Sequence, residues 1–91
     1  MKVYLERAAK VQQRIDEISL YSDDIHWLSR NFGSQALKEC GHKIASWMQE
    51  AGLDVRVDNI GNIRGRLYSA NAEAKIFVIG SHFDTTVNAG K

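Results

Sequence analysis

The sequence contains no proline and only one cysteine, Cys40. A single cysteine cannot form a disulfide within the chain, so no disulfide framework holds this fold together. Neither sign of charge dominates, because 12 lysines and arginines stand against 11 aspartates and glutamates, for a formal net charge of +1. The charges are interspersed and form no basic stripe, so we expect no nucleic-acid partner.

Long apolar runs are also missing, and none approaches the roughly 20 residues of a membrane-spanning helix. We therefore expect no membrane association. Glu6, Arg7 and Lys10 lie where a secretion signal would have its apolar centre. These features predict a cytoplasmic protein. A hydrophobic content of 44% and a charged content of 25% are typical of a folded chain, and this length makes one domain or part of one.

Two segments have the apolar period of an amphipathic helix. The first runs from about Lys2 to Leu20, and the second begins near Ser34, a good N-cap residue, and ends before Gly52. The apolar stripe of the first helix consists of Tyr4, Ala8, Val11, Ile15 and Ile18. That of the second consists of Leu37, Cys40, Ile44, Trp47, Met48 and Ala51. We expect residues 21–33, between the helices, to be irregular and held in place by their aromatic side chains.

Three strands are predicted after the helices. Residues 53–58 and 62–68 alternate apolar and polar side chains and form a hairpin, with Asn59 and Gly61 as turn residues. Residues 75–81 differ, because residues 76–79 are all large and apolar. This pattern predicts a third strand that is covered on both faces, as inside an α/β sheet. Only two helices precede it, so one face of this incomplete sheet would lack its cover.

His82 and Asp84 follow the third predicted strand. Side chains two positions apart on extended backbone point the same way, so the pair can act together. A catalytic zinc site has three protein ligands and an open position, and its histidines are usually oriented by a hydrogen-bond acceptor. His82 can supply one ligand, and Asp84 can orient it. The alternative is a structural hydrogen-bonded pair. We expect no catalytic role for His26 or His42, and a buried, unreactive thiol at Cys40.

Residues 36–91 resemble the N-terminal part of the catalytic domain in the co-catalytic zinc hydrolases related to aminoacylases and carboxypeptidase G. They most resemble the amidase branch of N-carbamoyl-amino-acid hydrolases and allantoate amidohydrolases. The matching segments are residues 45–53, residues 58–66 and residues 80–85, the last containing His82-Phe83-Asp84. Residues 87–91 resemble the Asn-Gly-Gly loop of that branch. Phe83, Thr86, Val87 and Ala89 depart from its usual pattern.

The resemblance implies that residues 1–91 are the N-terminal portion of a three-layer α/β zinc-hydrolase domain. It implies that His82 is a metal ligand and that Asp84 is the catalytic residue that orients it. The remaining ligands, the general base and a lid or dimerisation domain would follow Lys91, so this portion alone would be inactive. Two divalent ions are implied, either zinc or manganese, cobalt or nickel.

The implied reaction is hydrolysis of a non-peptide C–N bond in a small N-carbamoyl, ureido or acylated amino-acid-like substrate, by a homodimer. The alternative within the family is an aminoacylase or dipeptidase. The alternative from another class is a small α/β binding or interaction domain in which His82 and Asp84 are structural.

Overall fold

The computed structural model describes residues 1–90. Along the chain it contains helix α1 (Lys2–Ile18), helix α2 (Gln35–Glu50), strand β1 (Asp54–Val57) and strand β2 (Ile63–Arg66). Both predicted helices and the predicted hairpin are confirmed, each to within about two residues at its ends. Neither helix among the described residues has the length and apolar character that a membrane span requires.

Helix α1 is amphipathic, but its apolar stripe has little to pack against. None of its residues is buried, and Tyr4 and Val11 are 71% and 57% exposed. Only the C-terminal end, from Arg14 onward, is partly covered. There the Arg14 guanidinium lies over the Trp47 ring of α2, 5.1 Å from its centroid. The helix is therefore attached at one end, and most of its apolar face is open.

Helix α2 carries the small core, and its ends follow the sequence prediction. The Ser34 hydroxyl accepts a hydrogen bond from the Leu37 amide at 3.1 Å, as an N-cap should. After the helix, Gly52 has a φ of +88°, the left-handed conformation that favours glycine at this position. Within the helix, Ala36 and Cys40 are the buried apolar residues.

The hairpin β1–β2 is antiparallel, with Asp54 opposite Arg66 and Val57 opposite Ile63. It packs on α2 through Gly65, where a Cβ atom would lie 3.0 Å from Met48 Sδ of the helix. A side chain at that position would therefore push the hairpin away from α2. Gly65 permits the close approach.

The predicted third strand is not formed among residues 1–90, and this expectation was wrong for the described chain. Residues 76–79 have no regular secondary structure, and their side chains are 73–87% exposed. An extended segment becomes a strand only when neighbouring strands bond its amides and carbonyls. The only sheet described has two strands, and these pair with each other. The three-layer arrangement and the buried strand are thus not seen, although the α/β character is.

Residues 21–33 are irregular, as predicted, but they are not held by their aromatic side chains. Trp27 and Phe32 are 53% and 74% exposed. Polar groups hold the segment instead. The Ser22 hydroxyl accepts a hydrogen bond from the Ser29 amide at 2.9 Å and donates to the Trp27 carbonyl at 2.7 Å. An irregular backbone needs partners for its amides and carbonyls, and aromatic rings cannot supply them.

Candidate functional site

His82 and Asp84 lie in contact, as their spacing predicts. His82 Nδ1 is 3.1 Å from Asp84 Oδ1 and also 3.1 Å from the Asp84 carbonyl oxygen. Both acceptors are oxygens without a proton to give, so Nδ1 must be the donor. This assigns the proton to Nδ1 and leaves Nε2, on the far side of the ring, to accept a ligand. The two side chains are 82% and 52% exposed.

The residue between them faces the opposite way. Phe83 is half-buried, and its ring lies 3.4 Å from where a Cβ of Gly41 in α2 would be. This is the alternation expected of extended backbone, with Phe83 inward and the pair outward. The ring of Phe83 thus anchors the segment on α2.

The segment is also tied to residues 28–30. The Thr85 amide donates to the Arg30 carbonyl at 2.8 Å, and the Arg30 amide donates to Thr85 Oγ1 at 3.1 Å. Three residues later the Asn88 amide donates to the Leu28 carbonyl at 2.8 Å. These bonds form a short antiparallel bridge between Arg30 and Thr85. The pair is therefore held by this bridge and not by the end of a buried strand.

The buried side chain of Arg30 adds hydrogen bonds next to this bridge. It is 1% exposed, and its Nε donates to the Phe83 carbonyl at 2.9 Å. Its Nη1 donates to the carbonyls of Ile18 and Tyr21. Nothing in the sequence marked this residue, because its partners are backbone carbonyls, which every residue carries.

A groove of about 540 Å³ opens beside the pair. Helix α2, the hairpin loop and the segment around the pair all line it. Its apolar walls include Phe32, Leu37, Ile44, Met48, Ile63 and Ile79. The imidazole and carboxylate therefore stand at the edge of a mostly apolar surface.

The donor set fits one ligand of a metal site together with its orienting group. Among residues 1–90, no group of three or more His, Cys, Asp or Glu side chains could hold a metal ion. Neither His26 nor His42 therefore completes a site with His82. A catalytic zinc needs about three protein ligands, so further donors would have to come from outside this set.

Cys40 is fully buried and free. Burial raises the pKa of its thiol, and the nearby positive charge of Arg30 opposes this. A thiol in this environment is a small apolar side chain and not a nucleophile. The expected unreactive role of Cys40 fits its surroundings.

Comparison with known proteins shows which proteins the chain is similar to. It is 44% identical over 77 residues to allantoate deiminase 2 of Glycine max, a match that covers 85% of this chain and 16% of that protein. It is 40% identical over 78 residues to the allantoate deiminase of Arabidopsis thaliana, covering 86% of this chain and 15% of that protein. The chain is a homologue of the allantoate and N-carbamoyl-amino-acid amidohydrolases.

The N-carbamoyl-amino-acid amidohydrolases are represented by a bacterial relative. The chain is 45% identical over 47 residues to the N-carbamoyl-L-amino acid amidohydrolase of Geobacillus stearothermophilus, which covers 52% of this chain and 12% of that protein. No protein-family model and no solved structure matches the chain. The resemblance stated from the sequence motifs is confirmed by these relatives. The chain spans only about a sixth of the length of the plant proteins.

Proposed function

We propose that the protein carrying this chain is a metal-dependent amidohydrolase that cleaves a non-peptide C–N bond in a small substrate. The observation that supports this most strongly is the 44% identity over 77 residues to an allantoate deiminase. The substrates named in the relatives contain ureido or carbamoyl groups, so we propose a substrate of that class. The contact between His82 and Asp84 supplies a chemically suitable start of a metal site.

In this proposal His82 binds a divalent ion through Nε2. Asp84 keeps the proton on Nδ1 and fixes the orientation of the ring. The hydrogen bond to Asp84 also makes Nε2 a more basic metal ligand. When two zinc, manganese, cobalt or nickel ions are bound, the chemistry they supply is polarisation of a carbonyl and activation of water near neutral pH. The proposed task of this part of the chain is to hold one ion.

We propose that residues 1–91 belong to the N-terminal portion of the catalytic domain and that the protein is a homodimer. The small share of each plant relative that the chain spans supports a place within a larger domain, as does the absence of a third metal donor near the pair among residues 1–90. The other ligands and the general base would then lie in further sequence.

The test uses the protein as its gene encodes it. After removal of metal with a chelator, it is supplied with zinc, manganese, cobalt or nickel and assayed on allantoate, N-carbamoyl-L-amino acids, N-acetyl-amino acids and dipeptides. We expect metal-restored hydrolysis of a ureido or carbamoyl substrate. Hydrolysis of only the acetylated substrates or dipeptides would favour the aminoacylase or dipeptidase. No metal-dependent hydrolysis of any substrate would refute the proposal and favour the binding domain.

A further inference from the structure

Arg30 has an unusual environment for an arginine. It is among the largest fully buried side chains, at 1% exposure. Its guanidinium donates to three backbone carbonyls, those of Ile18 and Tyr21 around the end of α1 and that of Phe83. Burying a charge is costly unless hydrogen bonds compensate for it, and these carbonyls do so.

Hydrogen bonds of Arg30 lie on both sides of Asp84 in the chain. The Nε donor holds the carbonyl of Phe83, immediately before Asp84. Because the peptide unit is planar, this fixes the orientation of the link into Asp84. The backbone of Arg30 holds the amide and the hydroxyl of Thr85, immediately after it. The backbone on both sides of the carboxylate is therefore attached to one residue.

The His82–Asp84 pair needs such support because it is exposed. An exposed pair of this kind gains little from its own attraction, since water screens it and ordering the side chains costs entropy. Both side chains lie more than half in solvent. Their 3.1 Å contact will persist only if the backbone holds the two residues in the conformation that brings their side chains together.

We propose that Arg30 is a positioning residue for the His82–Asp84 pair. By holding the backbone on both sides of Asp84, it keeps the carboxylate on His82 Nδ1 and leaves Nε2 free for a ligand. The positioning is a property of the metal-free chain, and only its effect on metal binding rests on the proposed function. Two experiments therefore separate the two ideas.

The first experiment uses NMR on the metal-free protein as its gene encodes it. At a fixed pH of about 8, the ¹⁵N shifts of the His82 ring report which nitrogen carries the proton, and amide exchange reports the bridge. In Arg30→Met we expect the Nδ1–H preference to be lost. The Thr85 amide should exchange about 5- to 100-fold faster, as for a lost buried hydrogen bond. The matched control is Arg56→Met, at an arginine side chain that is 78% exposed, and it should match the wild type.

Removing a buried arginine can also unfold the chain, so a milder variant is needed. Thr85→Val removes only the hydroxyl that accepts from the Arg30 amide and leaves the guanidinium in place. It should shift the His82 ring in the same direction as Arg30→Met, and Thr85→Ser should restore the wild-type ring signals. Unchanged ring signals in folded Thr85→Val and folded Arg30→Lys would overturn the proposal. Protected amides in α2 and the hairpin show that a variant is folded.

The second experiment measures zinc affinity in the protein as its gene encodes it. Arg30→Lys retains the positive charge but has a methylene in place of the Nε–H that donates to the Phe83 carbonyl. It should weaken zinc binding by about 10- to 100-fold, the scale of a lost orienting group, and lower kcat more than it raises KM. Zinc affinity and kcat equal to the wild type would overturn the proposal. If zinc binds to no variant, including the wild type, but the ring signals still depend on Arg30, the positioning stands and the proposed function fails.

Discussion

At the scale of single residues, the Asp58 carboxylate organises the hairpin loop. It accepts hydrogen bonds from the amides of Ile60 and Asn62 and from the Asn62 side chain, at 2.8–3.1 Å. The Asn62 side-chain bond is the largest cause of a lowered pKa for Asp58, followed by the backbone bonds, with a smaller contribution from Arg64. The carboxylate thus acts as the cap of the turn that Gly61 allows.

This lowered pKa predicts an acid-sensitive hairpin. The pKa of Asp58 is lower in the folded than in the unfolded chain, so its stabilisation is complete above the unfolded value, about pH 3.9. It is lost as the pH falls from there through the folded value. Asp58→Asn should therefore have a lower free energy of unfolding than the wild type at pH 7. Below pH 4, its free energy of unfolding should decrease less with falling pH than that of the wild type. Denaturant unfolding at several pH values measures this. The same decrease in the free energy of unfolding below pH 4 in Asp58→Asn and the wild type would contradict the prediction.

The sequence predicted the contact of His82 with Asp84 but not the residue that supports it. A period of two on extended backbone places residues 82 and 84 on one side, whatever surrounds them. Arg30 could not be found in this way, because its partners are carbonyls 12 and 53 positions away. Any residue type can supply a carbonyl. Asp58 was read only as a strand residue for a similar reason, since its partners are mainly backbone amides.

At the scale of elements, local sequence patterns predicted the helices and the hairpin correctly, whereas the strand that depends on distant neighbours was predicted wrongly. Helix α2 carries its own signals in Ser34 and Gly52, and the hairpin carries them in its alternation and turn residues. The strand predicted for residues 75–81 depends on neighbours that no local pattern provides. Its apolar side chains indicate burial, but among residues 1–90 little covers residues 76–79, which are 73–87% exposed.

The close packing of α2 on the hairpin gives an element-scale prediction. A Cβ at Gly65 would lie 2.8 Å from Leu53 Cδ1 and 3.0 Å from Met48 Sδ. Gly65→Val should therefore lower the free energy of unfolding by about 1–3 kcal/mol, the usual cost of overpacking. Gly80→Val is the matched control, because nothing lies within 4 Å of a Cβ there. Equal stability of the two variants in denaturant unfolding would show that the hairpin is not packed this way.

At the scale of the whole molecule, the chain is more open than its length requires. Its radius of gyration is 15.2 Å, against about 12 Å for a compact domain of this size. Among residues 1–90, the apolar surfaces left largely open include most of the stripe of α1 and residues 76–79. Such surfaces belong against other protein, as they would be within a larger catalytic domain.

The uncovered surfaces predict that residues 1–91 alone associate with themselves. An exposed apolar segment with free amides and carbonyls is a template for pairing between chains. Light scattering should show association that rises with concentration, and Val78→Lys should reduce it because a charge opposes pairing. A monomer with a sharp, cooperative thermal transition would mean that these residues form a self-sufficient domain.

In the proposed function, His82 holds a metal ion and Asp84 orients its ring. The most direct measurement is metal content and hydrolysis in His82→Ala, Asp84→Asn and, as control, His42→Ala, an exposed histidine on α2. All are made in the protein as its gene encodes it. His82→Ala should lose metal and activity, Asp84→Asn should lower metal affinity or turnover by about 10- to 100-fold, and His42→Ala should match the wild type. Metal content and turnover unchanged in His82→Ala would show that His82 is not a metal ligand.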